Sequence, residues 1–93
     1  MREYELVYII NSELDENAAK DVQDKVKGWI QDAGGQVLKT DLWGKRRLAY
    51  PVRKQIDGLY IAMDVKMAPA FSAELERNLR FLEPVLRFMI SVK

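Results

Sequence analysis

The chain has 93 residues, 48% of them hydrophobic and 31% charged, with a formal net charge of +1, the balance of a globular chain and the length of one folding domain spanning residues 1–93. It contains no cysteine and no histidine, which removes disulfide frameworks, imidazole or thiolate metal centres and Ser-His or Cys-His nucleophilic chemistry. No apolar run approaches the ~20 residues of a membrane helix, and the mixed opening Met1-Arg2-Glu3-Tyr4-Glu5 is unlike a signal peptide, so the expectation is a soluble cytoplasmic domain.

In chain order, Glu3 to Ile10 is rich in aromatic and β-branched residues and reads as a first strand, ended by Asn11-Ser12-Glu13. Asp15 is a good N-cap for a first helix, with Leu14 placed to staple against Ala19. Ala18, Val22, Val26, Trp29 and Ile30 recur at spacings of three and four, the apolar stripe of an amphipathic helix, and Gly34-Gly35 supplies its stop. Trp29 reads as core or helix boundary rather than as a site residue.

Gln36 to Arg53 reads as a long second strand, broken near Trp43-Gly44, where a glycine inside a strand pattern suggests a bulge or bend. Gln55-Ile56-Asp57-Gly58 is the expected turn, because Asp-Gly is a strong hairpin pair. In the third strand Leu59, Ile61, Met63, Val65 and Met67 alternate with Tyr60, Ala62, Asp64 and Lys66, which gives one dry face. Pro69 suits the first turn of a second helix whose inner face carries Phe71, Leu75, Leu79 and Leu82. Pro84 closes that helix, and Val85 to Val92 form the last strand with Leu86, Phe88, Ile90 and Val92 on one face.

The order β-α-β-β-α-β predicts an α+β, ferredoxin-like sandwich: a four-stranded antiparallel sheet in the order 4-1-3-2 with two helices on one face. The second and fourth strands are the edges, and one sheet face is left open. The fold by itself decides no function.

Charge is distributed unevenly. Residues 1–44 hold five bases and nine acids, whereas residues 45–93 hold ten bases and five acids. Lys45 to Lys54 is the densest stretch, with five bases, no acid and Tyr50 among them. Localised bases beside an aromatic fit a nucleic-acid footprint; they also fit the guarding of an exposed strand edge. An acylphosphatase-type hydrolase would need an arginine and an anion-binding loop after the first strand, but Asn11 to Glu16 is acidic there. Asp15 with Glu16 and Asp21 with Asp24 fall on the wet face of the first helix, so no catalytic residue is assigned. An RNA-recognition motif would carry a base and paired aromatics on the third strand. Asp57-Gly58-Leu59-Tyr60-Ile61-Ala62-Met63 has an acid and one outward aromatic instead. A metabolite-sensing or protein-interaction domain of the same fold remains the alternative.

Gly44-Lys45-Arg46-Arg47-Leu48-Ala49-Tyr50-Pro51-Val52-Arg53-Lys54, followed by Gly58-Leu59-Tyr60, resembles the hallmark segment of the bacterial small-subunit ribosomal protein six family. The opening Met1-Arg2-x-Tyr4-Glu5 and the runs Leu75 to Arg80 and Glu83 to Arg87 are similar to that family in type and spacing. Ser12 stands where relatives often have proline, a change expected to matter only to its loop. Leu42 stands where a charge is common, and the chain ends at Lys93 without the tail some relatives carry. The resemblance implies a structural, non-enzymatic constituent of the ribosome, without cofactor, metal, membrane or small-molecule substrate. Its implied partners are small-subunit ribosomal RNA and small-subunit ribosomal protein eighteen, which forms a heterodimer with it.

On this reading Arg53, Lys54, Arg80, Arg87 and Tyr50 are candidates for RNA contact. They gather near one end of the sheet, on edge strands expected to stand about 14 Å apart at ~4.8 Å per strand step. Arg80 can alternatively pair with Glu76. Arg2 lies at the opposite end and enters through the family resemblance alone. Trp43, Arg46, Arg47, Leu42 and Tyr60 are candidates for the partner interface, an aromatic anchor with a charged rim. Trp43 can alternatively fold over its own bulge.

Overall fold

The computed structural model describes residues 1–93. Strands β1 (Arg2–Asn11), β2 (Gln36–Val52), β3 (Gln55–Met67) and β4 (Val85–Val92) alternate with helices α1 (Glu16–Asp32) and α2 (Pro69–Phe81). They form one antiparallel sheet in the order β2-β3-β1-β4, the expected ferredoxin-like arrangement.

The core lies between the sheet and the two helices. Tyr4, Leu6, Tyr8 and Ile10 of β1 and Ile61, Met63, Val65 and Met67 of β3 face Ala19, Val22, Val26 and Ile30 of α1 and Leu75 and Leu79 of α2. Each fully buried aliphatic side chain contributes roughly 1.5–3 kcal/mol. Ala19 rather than Ala18 completes the α1 stripe, since a 100° step places 19, 22, 26 and 30 on one side. Asp15 caps α1 by accepting a hydrogen bond from the Ala18 N–H at 2.7 Å. The helix ends in paired bonds from Gly34 N–H to the Gln31 carbonyl and from Gly35 N–H to the Ile30 carbonyl, a Schellman closure. Tyr8 is fully buried, and its hydroxyl finds no hydrogen-bonding partner in the protein. Burial, and secondarily the negative charge of Asp24, raises the Tyr8 phenol above the ordinary tyrosine value.

Two expectations about the sheet are corrected. The β2–β3 turn is Arg53-Lys54, both left-handed with φ of 50° and 66°, between the paired residues Val52 and Gln55. Two positive φ values in a two-residue loop match the hairpin twist. Asp57 and Gly58 instead lie inside β3, opposite Arg47 and Arg46. Gly58 is favoured there by close approach: a Cβ would clash with Ile9 Cγ2 and come within 3.2 Å of the Ile10 carbonyl oxygen.

The second correction concerns β4. A register shift between Ile9 and Ile10 pairs Ile10 with Val85 and Ile9 with Arg87, leaving Leu86 as the extra residue. Val85 therefore takes the buried position, and Leu86 moves toward Gly58 on the open face. A bulge exchanges inward and outward positions in just this way. The expected break in β2 is present, with Trp43 unpaired between Leu42, opposite Ile61, and Gly44, opposite Tyr60. Gly44 adopts φ of 84°, a conformation that other residues adopt at a cost.

Candidate nucleic-acid and partner interface

Beyond the last β1–β3 pair, Asn11 with Gly58, the β2–β3 ribbon continues as a two-stranded arm. A two-stranded ribbon twists and coils more than a wide sheet, so the arm does not extend straight. Its tip returns to the α2–β4 loop, where Arg53 Nη1 donates to the Glu83 carbonyl at 2.9 Å. Tyr50 meets Arg87 of the opposite edge strand, with the guanidinium carbon 4.7 Å from the ring centroid. The edge strands are therefore bridged at this end, and the flat-sheet separation expected from strand spacing does not apply to Tyr50 and Arg87.

Arg80 stands in the last turn of α2, where a cation complements the helix dipole. It also pairs with Glu76, Nη2 to Oε1 at 3.3 Å, while its side chain stays largely exposed. Arg53, Arg80 and Arg87 line one groove of about 780 Å³. Tyr50 joins them through Arg87. Lys54 is exposed on the hairpin tip. Arg2 pairs with Met67 at the far end of β1 and does not join this group.

Three of the five candidate partner residues come together. Trp43 and Tyr60 stack with ring centroids 6.4 Å apart and planes inclined by 15°. The Arg46 guanidinium lies 5.2 Å from the Trp43 ring and 6.0 Å from that of Tyr60. Trp43 keeps 40% of its surface exposed, so the bulge presents the indole rather than burying it. Leu42 and Arg47 are separated from this cluster: they pair with Ile61 and Asp57, in phase with the helix-covered face, and both are exposed.

The groove joins the two candidate groups. Trp43 and Tyr60 line it together with Arg53, Arg80 and Arg87. Its floor adds Val7, Ile9, Leu86 and Met89, and Glu5 stands at one end. These floor residues were not among the candidates read from sequence. Val7 and Ile9 carried a signal, being apolar at the outward positions of β1; Leu86 was hidden by the bulge.

The first loop also contributes to this end of the sheet. Ser12 Oγ donates to Asp57 Oδ1 at 2.6 Å, and Lys45 Nζ is 3.7 Å from Asp57 Oδ2. Ser12 thus ties the β1–α1 loop to the base of the arm, a wider effect than its position in a loop implied.

No group of three histidine, cysteine, aspartate or glutamate side chains is arranged to hold a metal. Glu16, Asp21 and Asp24 are exposed along α1 and Asp15 is engaged as its cap. No helix is long and apolar enough to cross a membrane.

Comparison with known proteins bears on this geometry. The family model described as Ribosomal protein S6 matches residues 3–91. Small ribosomal subunit protein bS6 of Desulforamulus reducens is 42% identical over 90 residues, covering 97% of this chain and 95% of that protein. Its counterpart from Salinispora arenicola is 47% identical over 87 residues, with 94% and 91% covered. The crystal structure of 30S ribosomal protein S6 from Thermotoga maritima superposes with a TM-score of 0.92 at 25% identity, covering 99% of this chain and 87% of that one.

Proposed function

The chain belongs to the ribosomal protein S6 family, a structural and non-enzymatic constituent of the small ribosomal subunit, and from that membership we propose that it binds small-subunit ribosomal RNA as a heterodimer with small-subunit ribosomal protein eighteen. Residues 1–93 act in this reading as one domain. The basic corner of Arg53, Lys54, Arg80 and Arg87, with Tyr50, addresses RNA phosphates and an unpaired base. The Trp43–Tyr60 stack with Arg46 anchors the partner protein, and Leu42 and Arg47, in phase with the opposite face, lie outside that anchor. Arg2 makes a separate RNA contact from the far end of β1.

One observation carries this reading: the folded-back arm, which brings Arg53 to the α2–β4 loop and Tyr50 to Arg87. Cations that a flat sheet would spread over both edges are thereby concentrated on one surface beside an aromatic, as RNA recognition requires. The net charge of only +1 gives little long-range attraction to RNA, so a basic partner has a physical role in affinity.

The test is a titration of a small-subunit ribosomal RNA junction with this chain alone and with equimolar protein eighteen, at physiological salt. Weak binding alone and strong binding of the pair is the expected result. Tight, specific binding by the isolated chain would remove the partner from the account. No binding in either case would favour a metabolite-sensing or purely protein-binding domain.

A further inference from the structure

Phe81 is the most exposed large apolar side chain of the molecule, with 80% of its surface open. It is the last residue of α2, two positions beyond the buried Leu79, and a helical step of about 100° per residue carries it to the side away from the core. The Leu82 N–H bonds the Leu79 carbonyl at 3.2 Å and closes the helix directly after it, so the ring stands on regular backbone. A single exposed apolar residue is ordinary; the neighbours of this one are not. Arg77, four residues earlier on the same helix face, is exposed and makes no ion pair. Arg80 precedes Phe81 directly, and Glu83, two residues on, offers its carbonyl to Arg53 of the arm tip at 2.9 Å. Of the nearby acids, Glu76 is engaged by Arg80 at 3.3 Å, while Glu74 and Glu83 hold no cation within ion-pair distance. Arg53, Lys54, Arg77 and Arg80 therefore outnumber the acids around this ring.

We propose that Phe81 and Arg77 form a second RNA subsite on the outer end of α2: an unpaired base stacks on the Phe81 ring, and a phosphate beside that base pairs with Arg77. A planar ring next to a free guanidinium offers both parts of a nucleotide a match, the base face by stacking and the phosphate by charge. The occupant is RNA rather than a basic protein segment because the surrounding cations repel lysine and arginine side chains. The subsite rests on the reading of Arg53, Lys54 and Arg80 as the RNA surface and extends it onto the outer end of α2. Its ring is held by a helix end, so little conformational freedom is lost when a base settles on it.

Because the ring is exposed, Phe81→Ala should leave the thermal midpoint and the affinity for protein eighteen unchanged. When the heterodimer is titrated onto the small-subunit ribosomal RNA junction, the same variant should bind roughly five- to a hundredfold more weakly, the worth of one stacked base. Its slope of log affinity against log salt should stay that of the parent, since the ring carries no charge. Phe81→Tyr should bind like the parent, whereas Phe81→Leu, apolar but not planar, should lose most of what Phe81→Ala loses. Arg77→Ala should lower the salt slope by roughly 0.7–0.9. Lys54→Ala is measured beside them. If it lowers the slope while the Phe81 and Arg77 variants bind like the parent, the subsite is refuted and the basic corner stands. If none of the variants, Lys54→Ala included, alters RNA binding, both readings fall. Parent-like RNA binding by Phe81→Leu would refute stacking, and a loss of affinity for protein eighteen on Phe81→Ala would make the ring a protein contact instead.

Discussion

The guanidinium of Arg87, on one edge strand, lies 4.7 Å from the ring of Tyr50, on the arm of the other. This contact, with the Arg53 bond to the Glu83 carbonyl, keeps the arm against the body of the domain. Tyr50 is exposed, so the pair is worth about 0.5–1 kcal/mol. A double-mutant cycle with Tyr50→Ala and Arg87→Ala, followed by urea unfolding, should return a coupling of that size. Additive single effects would mean that the ring and the cation hold no energy in common.

The Ser12–Asp57 bond makes a larger contribution. It is part-buried and its acceptor is a carboxylate, a class of hydrogen bond worth roughly 1.5–3 kcal/mol. Ser12→Ala should therefore lower unfolding free energy by about 1–3 kcal/mol. A loop residue with only local bonds would give a change below ~0.5 kcal/mol. Lys45 stays near Asp57 in the variant, and Ser12→Thr, which keeps a hydroxyl, should recover most of the loss.

Much of this architecture is legible in the residues themselves. The α1 stripe, the Asp15 cap, Pro69 and the alternation of β3 each follow from local periodicity or capping chemistry, which one sequence carries. The turn was misplaced because Asp57-Gly58 has the local preference and Arg53-Lys54 does not; Ser12, Arg46 and Arg47 hold the Asp-Gly pair in the ladder instead. Tertiary pairing there overrides turn propensity. The Tyr50–Arg87 meeting depends on accumulated twist in the arm, and strand order alone carries no such distance. The groove floor needed the β4 bulge, one extra residue that periodicity does not locate.

Tyr8 sets an alkaline limit on stability. Its phenol is raised by burial and by Asp24, so above the ordinary tyrosine value of 10.0 the unfolded chain loses the proton that the folded chain keeps. The unfolded state then binds fewer protons, and stability falls as pH rises through 10 and beyond. Tyr8→Phe removes this dependence together with a buried hydroxyl that lacks a protein partner. At pH 7 the variant should be as stable as the parent or up to ~1 kcal/mol more so. Between pH 9 and 11, thermal unfolding should show a smaller decline for the variant, and parallel curves would exclude Tyr8 as the source.

The basic corner is testable one charge at a time. Arg53, Arg80 and Arg87 line a common groove, and Lys54 is exposed on the adjoining tip. Arg80 has an acidic partner in Glu76, and the Arg53 guanidinium bonds a neutral carbonyl, so most of the positive charge here is not neutralised within the chain. If these side chains hold phosphates, each binding event releases counterions in proportion to the contacts made. Replacing one of them by alanine in the heterodimer with protein eighteen should then lower the slope of log affinity against log salt by roughly 0.7–0.9 per lost contact. Partner affinity should be unchanged for Lys54→Ala, which lies outside the groove. Arg80→Ala should show the smallest effect, because Glu76 already offsets part of its charge. Arg53→Ala carries a second consequence, since it also frees the arm tip from the α2–β4 loop. Its loss of affinity should exceed what the slope change accounts for, whereas Lys54→Ala should lose only the electrostatic part. Four unchanged slopes would place the RNA elsewhere on the protein, and a shared loss of affinity without any slope change would make these residues supports of the arm rather than phosphate ligands.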